Sequence, residues 1–255
     1  MHDRPNGAPS VRPITITDIR ESLRAGAQDF AAAPVPGLFF ASFYVFVGLI
    51  MVWVTHSTGT TFWLVLAVMG FPLIGAFAAL GLYETSRRRA AGEPLNLNEI
   101  TGVVWAHKVG QLPWLAVILV FLFLFWFFLG HMVFALFLGL SPMTNVSDST
   151  EVYFSSNSLK MLGFGTIVGA AFAGLTFALS VLGMPMFLDR DVDFVTAMIT
   201  SVQAVSARPL IYLGWGAFIG MVTIIAMIPT FLGLFIAMPV LGHATWHLYK
   251  AVTPP

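Results

Sequence analysis

The chain of 255 residues carries 12 Lys and Arg against 12 Asp and Glu, is 58% hydrophobic and only 9% charged, and contains no cysteine. An ordinary soluble domain has about 25% charged and about 45–50% apolar residues, so a globule this apolar could not cover its own surface with polar groups. A water-soluble fold is excluded, as are disulfides, thiolate metal sites and cysteine nucleophiles. A net charge of zero leaves no basic surface for nucleic acid.

Residues 1–16 begin Met1-His2-Asp3-Arg4-Pro5-Asn6-Gly7, have no apolar core, and read as a flexible tail without a cleavable signal peptide. The remainder, 17–255, reads as one integral-membrane domain. Its charges fall in separate polar stretches, and Gly37–Val54, Phe62–Leu82, Leu112–Leu140, Met161–Leu188 and Pro209–Leu241 contain no Asp, Glu, Lys or Arg. About 20 apolar residues cross roughly 30 Å of hydrocarbon as a helix, so the first four stretches are one span each. Pro209 to Lys250 as a single helix would be roughly 60 Å long. A turn near Pro229-Thr230, with Gly233 beyond it, splits that stretch into two spans. The expected fold is all-α, a polytopic bundle of six transmembrane helices.

Three segments share one design. Thr17-Asp18-Ile19 runs through Ala27 and Phe30 to Pro36 and the first span. Asn98-Glu99-Ile100 runs through Val103 and His107 to Pro113 and the third. Asp193-Phe194-Val195 runs through Met198 and Val202 to Pro209 and the fifth. Each opens on a capping residue, Thr17, Asn98 or Asp193, carries apolar residues at helical spacing, and ends at a proline. Such a helix is expected in the cytoplasmic interface, with its apolar side in the acyl boundary. The return spans match through Pro72, Pro185 and Pro239. The chain thus reads as three hairpins, each preceded by an interfacial helix, over 17–92, 93–188 and 189–250.

Lys and Arg set orientation. Arg4, Arg12, Arg20, Arg24, Arg87, Arg88, Arg89, Lys108, Arg190, Arg208 and Lys250 fall on one face of a six-span chain, and only Lys160 on the other. Both termini are therefore expected in the cytoplasm. Small residues at i, i+4, namely Gly165 with Gly169 and Ala170 with Gly174, nominate the fourth span as the central helix. The third span is bulky all round (Phe121, Phe123, Phe125, Trp126, Phe127, Phe128), which suits lipid or a docked membrane subunit.

Candidate chemistry is sparse. Only His131 is ionisable within a span, which argues against proton relay and ion-coupled transport. His243 and His247, spaced i, i+4, share a helix face and could hold a metal, though Trp246 and Tyr249 beside them favour an interfacial aromatic belt. In Asp189-Arg190-Asp191-Val192-Asp193, three carboxylates could hold a divalent cation, but Asp193 as a helix cap and interfacial ion pairs explain the cluster more simply. Arg87-Arg88-Arg89 reads as a topology determinant. No Walker A loop, Gly-x-Ser-x-Gly elbow or His-Glu-x-x-His is present, so no enzyme and no cofactor is nominated.

Longer strings carry a resemblance. Gly81-Leu82-Tyr83-Glu84-Thr85-Ser86-Arg87-Arg88, Phe187-Leu188-Asp189-Arg190-Asp191-Val192-Asp193 with Val195-Thr196-Ala197-Met198, and Pro239-Val240-Leu241-Gly242-His243-Ala244-Thr245-Trp246-His247 resemble a bacterial integral-membrane family known only as a domain of unknown function. The likeness extends over almost the whole chain after the tail. It implies a six-span inner-membrane protein without an established activity, and marks Asp189, Arg190, Asp191, Asp193, His243, Trp246 and His247 as signature and interaction residues. The expected role is non-catalytic: an accessory, assembly or scaffolding subunit in contact with membrane lipids and a membrane-protein partner. The alternative is a transporter or channel for a neutral or lipophilic molecule, which requires a polar-lined cavity at mid-membrane depth.

Overall fold

The computed structural model describes residues 5–58, 77–138 and 156–254, and these are helical with no strands, only an isolated bridge between Asn6 and Asp191. In chain order the helices are α1 (Ile16–Ala32), α2 (Pro34–Thr58), α3 (77–90), α4 (Leu97–Ala106), α5 (Leu112–Leu138), α6 (Ser156–Ser180), α7 (Gly183–Asp189), α8 (Phe194–Ala207), α9 (Pro209–Met227) and α10 (Leu234–Val252). Four stretches are long and apolar enough to cross a membrane: α2, most of α5, the run Ser156–Asp189 that holds α6 and α7, and α9. The chain is an all-helical integral-membrane protein.

Two of the six expected spans are not among these four. Phe62–Leu82 and its Pro72 lie mostly outside the described residues, as does most of the loop Thr144–Ser158. The last, α10, has the length of a span, but its second half carries His243, His247 and Lys250 and is buried by other helices. The break before it is where Pro229 and Gly233 implied. A turn occupies 228–233, with Thr230 and Phe231 in the left-handed region at φ 52° and 66°. Both conformations are costly for side chains of this kind and persist only where packing fixes them. Here the Phe231 ring packs directly onto Gly48 of α2.

The three short helices exist, with two corrections at their starts. Thr15, not Thr17, caps α1, because the residue three further on must accept the cap's own N–H. Asp18 does so at 2.8 Å, whereas Thr17 would have met Arg20. Asn96, not Asn98, caps α4, which puts Glu99 in the first turn, where the helix dipole favours an acid. Asp193 caps α8 as expected, accepting from the Thr196 N–H at 2.9 Å. Prolines open the long helices that follow, with Pro34 rather than Pro36 as the first residue of α2.

The helix at the centre is α10, not α6. Expectation placed α6 there on its Gly-x-x-x-Gly spacing, yet among its residues only Ser158 is buried. Nothing among the described residues stands within 4 Å of a Cβ built on Gly163 or Gly165, and Gly169 meets only the Trp126 ring, at 3.2 Å. The spacing is present, but α5 approaches through rings, Phe125 on Phe172 and Phe137 on Phe164, which hold the backbones apart. Close approach occurs at other glycines. A Cβ on Gly26 of α1 would lie 2.5 Å from the Ala244 nitrogen and 2.6 Å from the Val240 oxygen of α10. Gly37 of α2 abuts Pro239, and Gly242 of α10 abuts Leu82 of α3.

The core therefore sits at the cation-bearing end of the molecule, where α1, the end of α3, α7, α8 and the second half of α10 pack together. Leu82, Leu182, Met186, Leu248 and Tyr249 are fully buried there. The tail does not hang free of it. Asp191 exchanges backbone hydrogen bonds with Pro5 and Gly7, the Arg12 N–H donates to the Val252 carbonyl at 2.9 Å, and Ile14 inserts into the core. Outward from this layer, α2, α5, α6 and α9 expose large apolar side chains such as Phe46, Phe128, Ile167 and Ile224.

Candidate functional site

Where α1, α3 and α10 meet, polar groups are enclosed by the apolar packing. The buried stripe of α1 is Asp18, Ser22, Gly26 and Asp29, spaced so that all four face α10. The apolar Ile16, Ile19 and Leu23 lie on the other side, along an open crevice toward α9. The polar stripe turns inward because of what α10 offers: His243 and His247 on one face, with Ala244 between them as the contact for Gly26.

His247 Nε2 is 2.7 Å from Asp29 Oδ2. His243 Nδ1 lies 3.0 Å from the Leu82 carbonyl and 2.8 Å from Ser86 Oγ. A protonated Nδ1 satisfies the carbonyl, which leaves Nε2 as a buried acceptor without a partner among the described residues. Arg89 donates to the Gln28 carbonyl at 2.7 Å and lies 3.3 Å from Asp29 Oδ1. Burial by itself would raise the Asp29 carboxyl, but hydrogen bonds from His247 and Ser86, with the charge of His247, hold it below the usual carboxylate range.

The neighbouring charges form a second group. Glu84 is fully buried and accepts from Arg87 at 2.7 and 2.9 Å and from Arg88 at 2.7 Å. Arg87 also reaches Glu93, and Arg88 reaches Glu99 and the Pro94 carbonyl. Arg87, Arg88 and Arg89, read in sequence as a topology determinant, are thus all engaged by carboxylates: Arg87 and Arg88 clamp the turn after α3 and the start of α4, while Arg89 ties α3 to α1.

Asp189, at the end of α7, accepts from Tyr249 Oη at 2.9 Å and Lys250 Nζ at 3.0 Å, and lies 3.7 Å from Arg190 Nε. Asp191 pairs through its backbone and Asp193 is the cap, so the three aspartates of this cluster have separate tasks and do not converge on one site. Trp246 and Tyr249 are buried, not in a belt at the surface; Trp246 stacks on Tyr83 at 6.3 Å. His131 turns Nδ1 back to the Phe127 carbonyl of its own helix, 2.9 Å away.

The structure thus brings His243 and His247 to one face, as their spacing implied, but gives each ring its own partner. Among the described residues no three His, Asp or Glu side chains gather as metal ligands. Chemically the arrangement is a set of charge-assisted ties between helices far apart in sequence. Sequence reasoning missed Asp29, Ser86 and Glu84; the signal available was the i+4, i+4, i+3 stripe of polar and small residues in α1.

Further inside the bundle, two adjoining cavities of about 560 and about 310 Å³ share Tyr44, Ser180, Met184 and Met238. They are apolar apart from hydroxyl groups, including those of Tyr83, Thr223 and Thr245 in the smaller one.

Residues 64–189 match the model of a family described as predicted integral membrane protein, DUF2189. No curated protein and no solved structure matches the chain. The matched stretch takes in Gly81–Arg88 and ends at Asp189. Arg190 to Asp193 and Pro239 to His247 lie beyond the matched stretch.

Proposed function

We propose, for a chain whose residues 64–189 belong to this family of predicted integral membrane proteins, that it is a non-catalytic accessory, assembly or scaffolding subunit of a larger complex in a bacterial cytoplasmic membrane. In this reading it has six spans with both termini in the cytoplasm. The observation that carries the reading is that two glycines of α6, on nearly opposite sides of the helix, stand open. In lipid, helices gain little from apolar contact and associate through small residues that let backbones approach. Gly163 and Gly165 offer that approach, and nothing among the described residues takes it. The exposed rings Phe121, Phe125 and Phe128 of α5 extend the same hairpin's free surface.

The test is purification in mild detergent with mass spectrometry, comparing the native chain with G163L/G165L. A defined membrane protein that accompanies the native chain and is lost from the variant, with the variant's thermal unfolding unchanged, supports the reading. A native chain that is strictly monomeric and unaccompanied overturns it.

A second reading, passage or binding of an uncharged lipophilic molecule, is favoured by the adjoining cavities around Tyr44 and Ser180. Their hydroxyls would orient a polar end and their apolar walls would hold the rest. Ser180→Trp would fill the shared wall. Loss of co-purifying small lipophiles from that variant, and not from G163L/G165L, would favour this reading over the first.

A further inference from the structure

The cations of the α1–α10 end divide into two sets. Arg12 pairs with Asp18, Arg87 and Arg88 with Glu84, Arg89 with Asp29, Arg190 and Lys250 with Asp189, and Lys108 sits 4.0 Å over the Trp105 ring. Arg20, Arg24 and Arg208 have no ion pair or side-chain hydrogen bond among the described residues and are exposed. These three flank one feature. Arg20 and Arg24 follow Ile19 and Leu23 on α1, and Arg208 precedes Leu210 at the start of α9. Ile19, Leu23 and Leu210 all line the same apolar crevice between α1 and α9, of about 460 Å³.

The crevice does not end there. At Leu23 and Phe218 it meets a second apolar groove, of about 530 Å³, which continues between α9 and α10 past Val222, Ala226 and Gly233. From Leu210 to Ala226 the α9 wall rises roughly 24 Å, against about 15 Å for the chains of one bilayer leaflet. Guanidinium groups are found at one end only, and the walls beyond them are apolar. Glu21 is the one unpaired acid on the exposed side of α1, so three cations face one carboxylate.

We infer that this groove binds an anionic phospholipid, with the headgroup phosphate held by Arg20, Arg24 and Arg208 and an acyl chain laid along α9. A zwitterionic lipid would fill the groove, but the cation it carries beside its own phosphate would leave the three guanidiniums without a net counter-charge. A soluble anion would meet the guanidiniums but gain nothing from the groove. Only an amphiphile with an acidic head and a long apolar tail satisfies both, and basic pockets at the membrane face are the usual setting for such recognition. The inference is independent of the accessory role proposed above.

The test uses the full chain in neutral detergent, titrated with dioleoyl phosphatidylglycerol or dioleoyl phosphatidylcholine and read by native mass spectrometry and by the rise in unfolding temperature. Phosphatidylglycerol is expected to bind at least about tenfold more tightly than phosphatidylcholine, and R20Q/R24Q/R208Q to abolish that preference, since each cation near a phosphate is worth roughly a fivefold factor. Gly214→Leu, which fills the crevice at a position with no described residue within 4 Å of a Cβ built there, is expected to weaken both lipids. All three arginines and Gly214 lie on open surface, so circular dichroism should confirm that both variants fold. Three outcomes would each overturn the inference. They are equal binding of the two lipids by the native chain, a preference that survives the triple variant, and a Gly214→Leu protein that binds as the native chain does. Inorganic phosphate at millimolar concentration should not displace phosphatidylglycerol; displacement would mean that the arginines alone form the site.

Discussion

Asp18 and Asp29 stand three turns apart on one helix, and both carboxyls are held below their ordinary range for different reasons. At Asp18 the hydrogen bond from Arg12 is the largest cause, opposed by burial and reinforced by Thr15, and the carboxyl is lowered to about 2. A carboxyl depressed on folding adds stability that is fully present above its unfolded value, near 4, and is lost as pH falls through its folded value. Thermal unfolding of the purified protein should therefore show a midpoint that declines between about pH 4 and pH 2. The decline should be shallower in Asp18→Asn, which at neutral pH should cost about 1 kcal/mol for the capping box. Asp29→Asn leaves His247 and Arg89 without their carboxylate in an enclosed site, and should lower stability at neutral pH by about 2 kcal/mol, measured the same way. His247→Gln should cost less, because its amide can still donate to Asp29. The histidines were legible in the sequence because their spacing fixes a shared face. Asp29 was not, since its partner is 218 positions away and only the fold brings them together.

Among elements, α1 and α6 exchange the roles that their sequences suggested. Reading α6 as central rested on glycine spacing, and spacing states only that close approach is permitted. Whether it occurs depends on what the opposite helix presents, and α5 presents rings. α1, expected to rest in the interface, instead uses its single inward glycine to bring its backbone against α10. Since the atoms opposite Gly26 are main-chain atoms that cannot swing aside, Gly26→Val should push α1 off α10 at a cost of about 2 kcal/mol. Limited proteolysis should then cut within 16–32 at protease levels that leave the native chain whole. The same substitution at Gly163 should leave the digestion pattern unchanged. The helix starts were legible to within two residues, and the errors had one source: a capping residue was judged alone, whereas its partner three positions on decides which candidate is used.

For the whole molecule, the absence of cysteine makes the expected topology directly measurable. Ser10, Ser57 and Pro254 are exposed, so single cysteines there should be accessible to a membrane-impermeant maleimide. With six spans, Ser57→Cys should label in intact cells, while Ser10→Cys and Pro254→Cys should label only after the membrane is opened. A Pro254→Cys protein that labels from outside while Ser10→Cys stays protected would mean an odd number of spans. Charge placement made the membrane class and the cation-rich end legible. It could not reveal that most of these cations would be neutralised by buried or half-buried acids, because pairing depends on helix contacts that no local pattern encodes.

The joints between the packed end and the long helices have a mechanical consequence. Ala33 separates α1 from α2, residues 107–111 separate α4 from α5, and Arg208 separates α8 from α9. The turn at 181–182 separates α6 from α7, and α10 passes Pro239, which cannot donate to the preceding turn. A helix resists bending through its continuous ladder of hydrogen bonds, and at these joints the ladder is cut. Gly37, one turn into α2 beyond Ala33, touches Pro239, so the weak point of α10 lies beside the start of α2. Elastic softness is thereby gathered at the boundary of the packed end. A load on that end would tilt it as a stiff block against the long helices before it deformed either part.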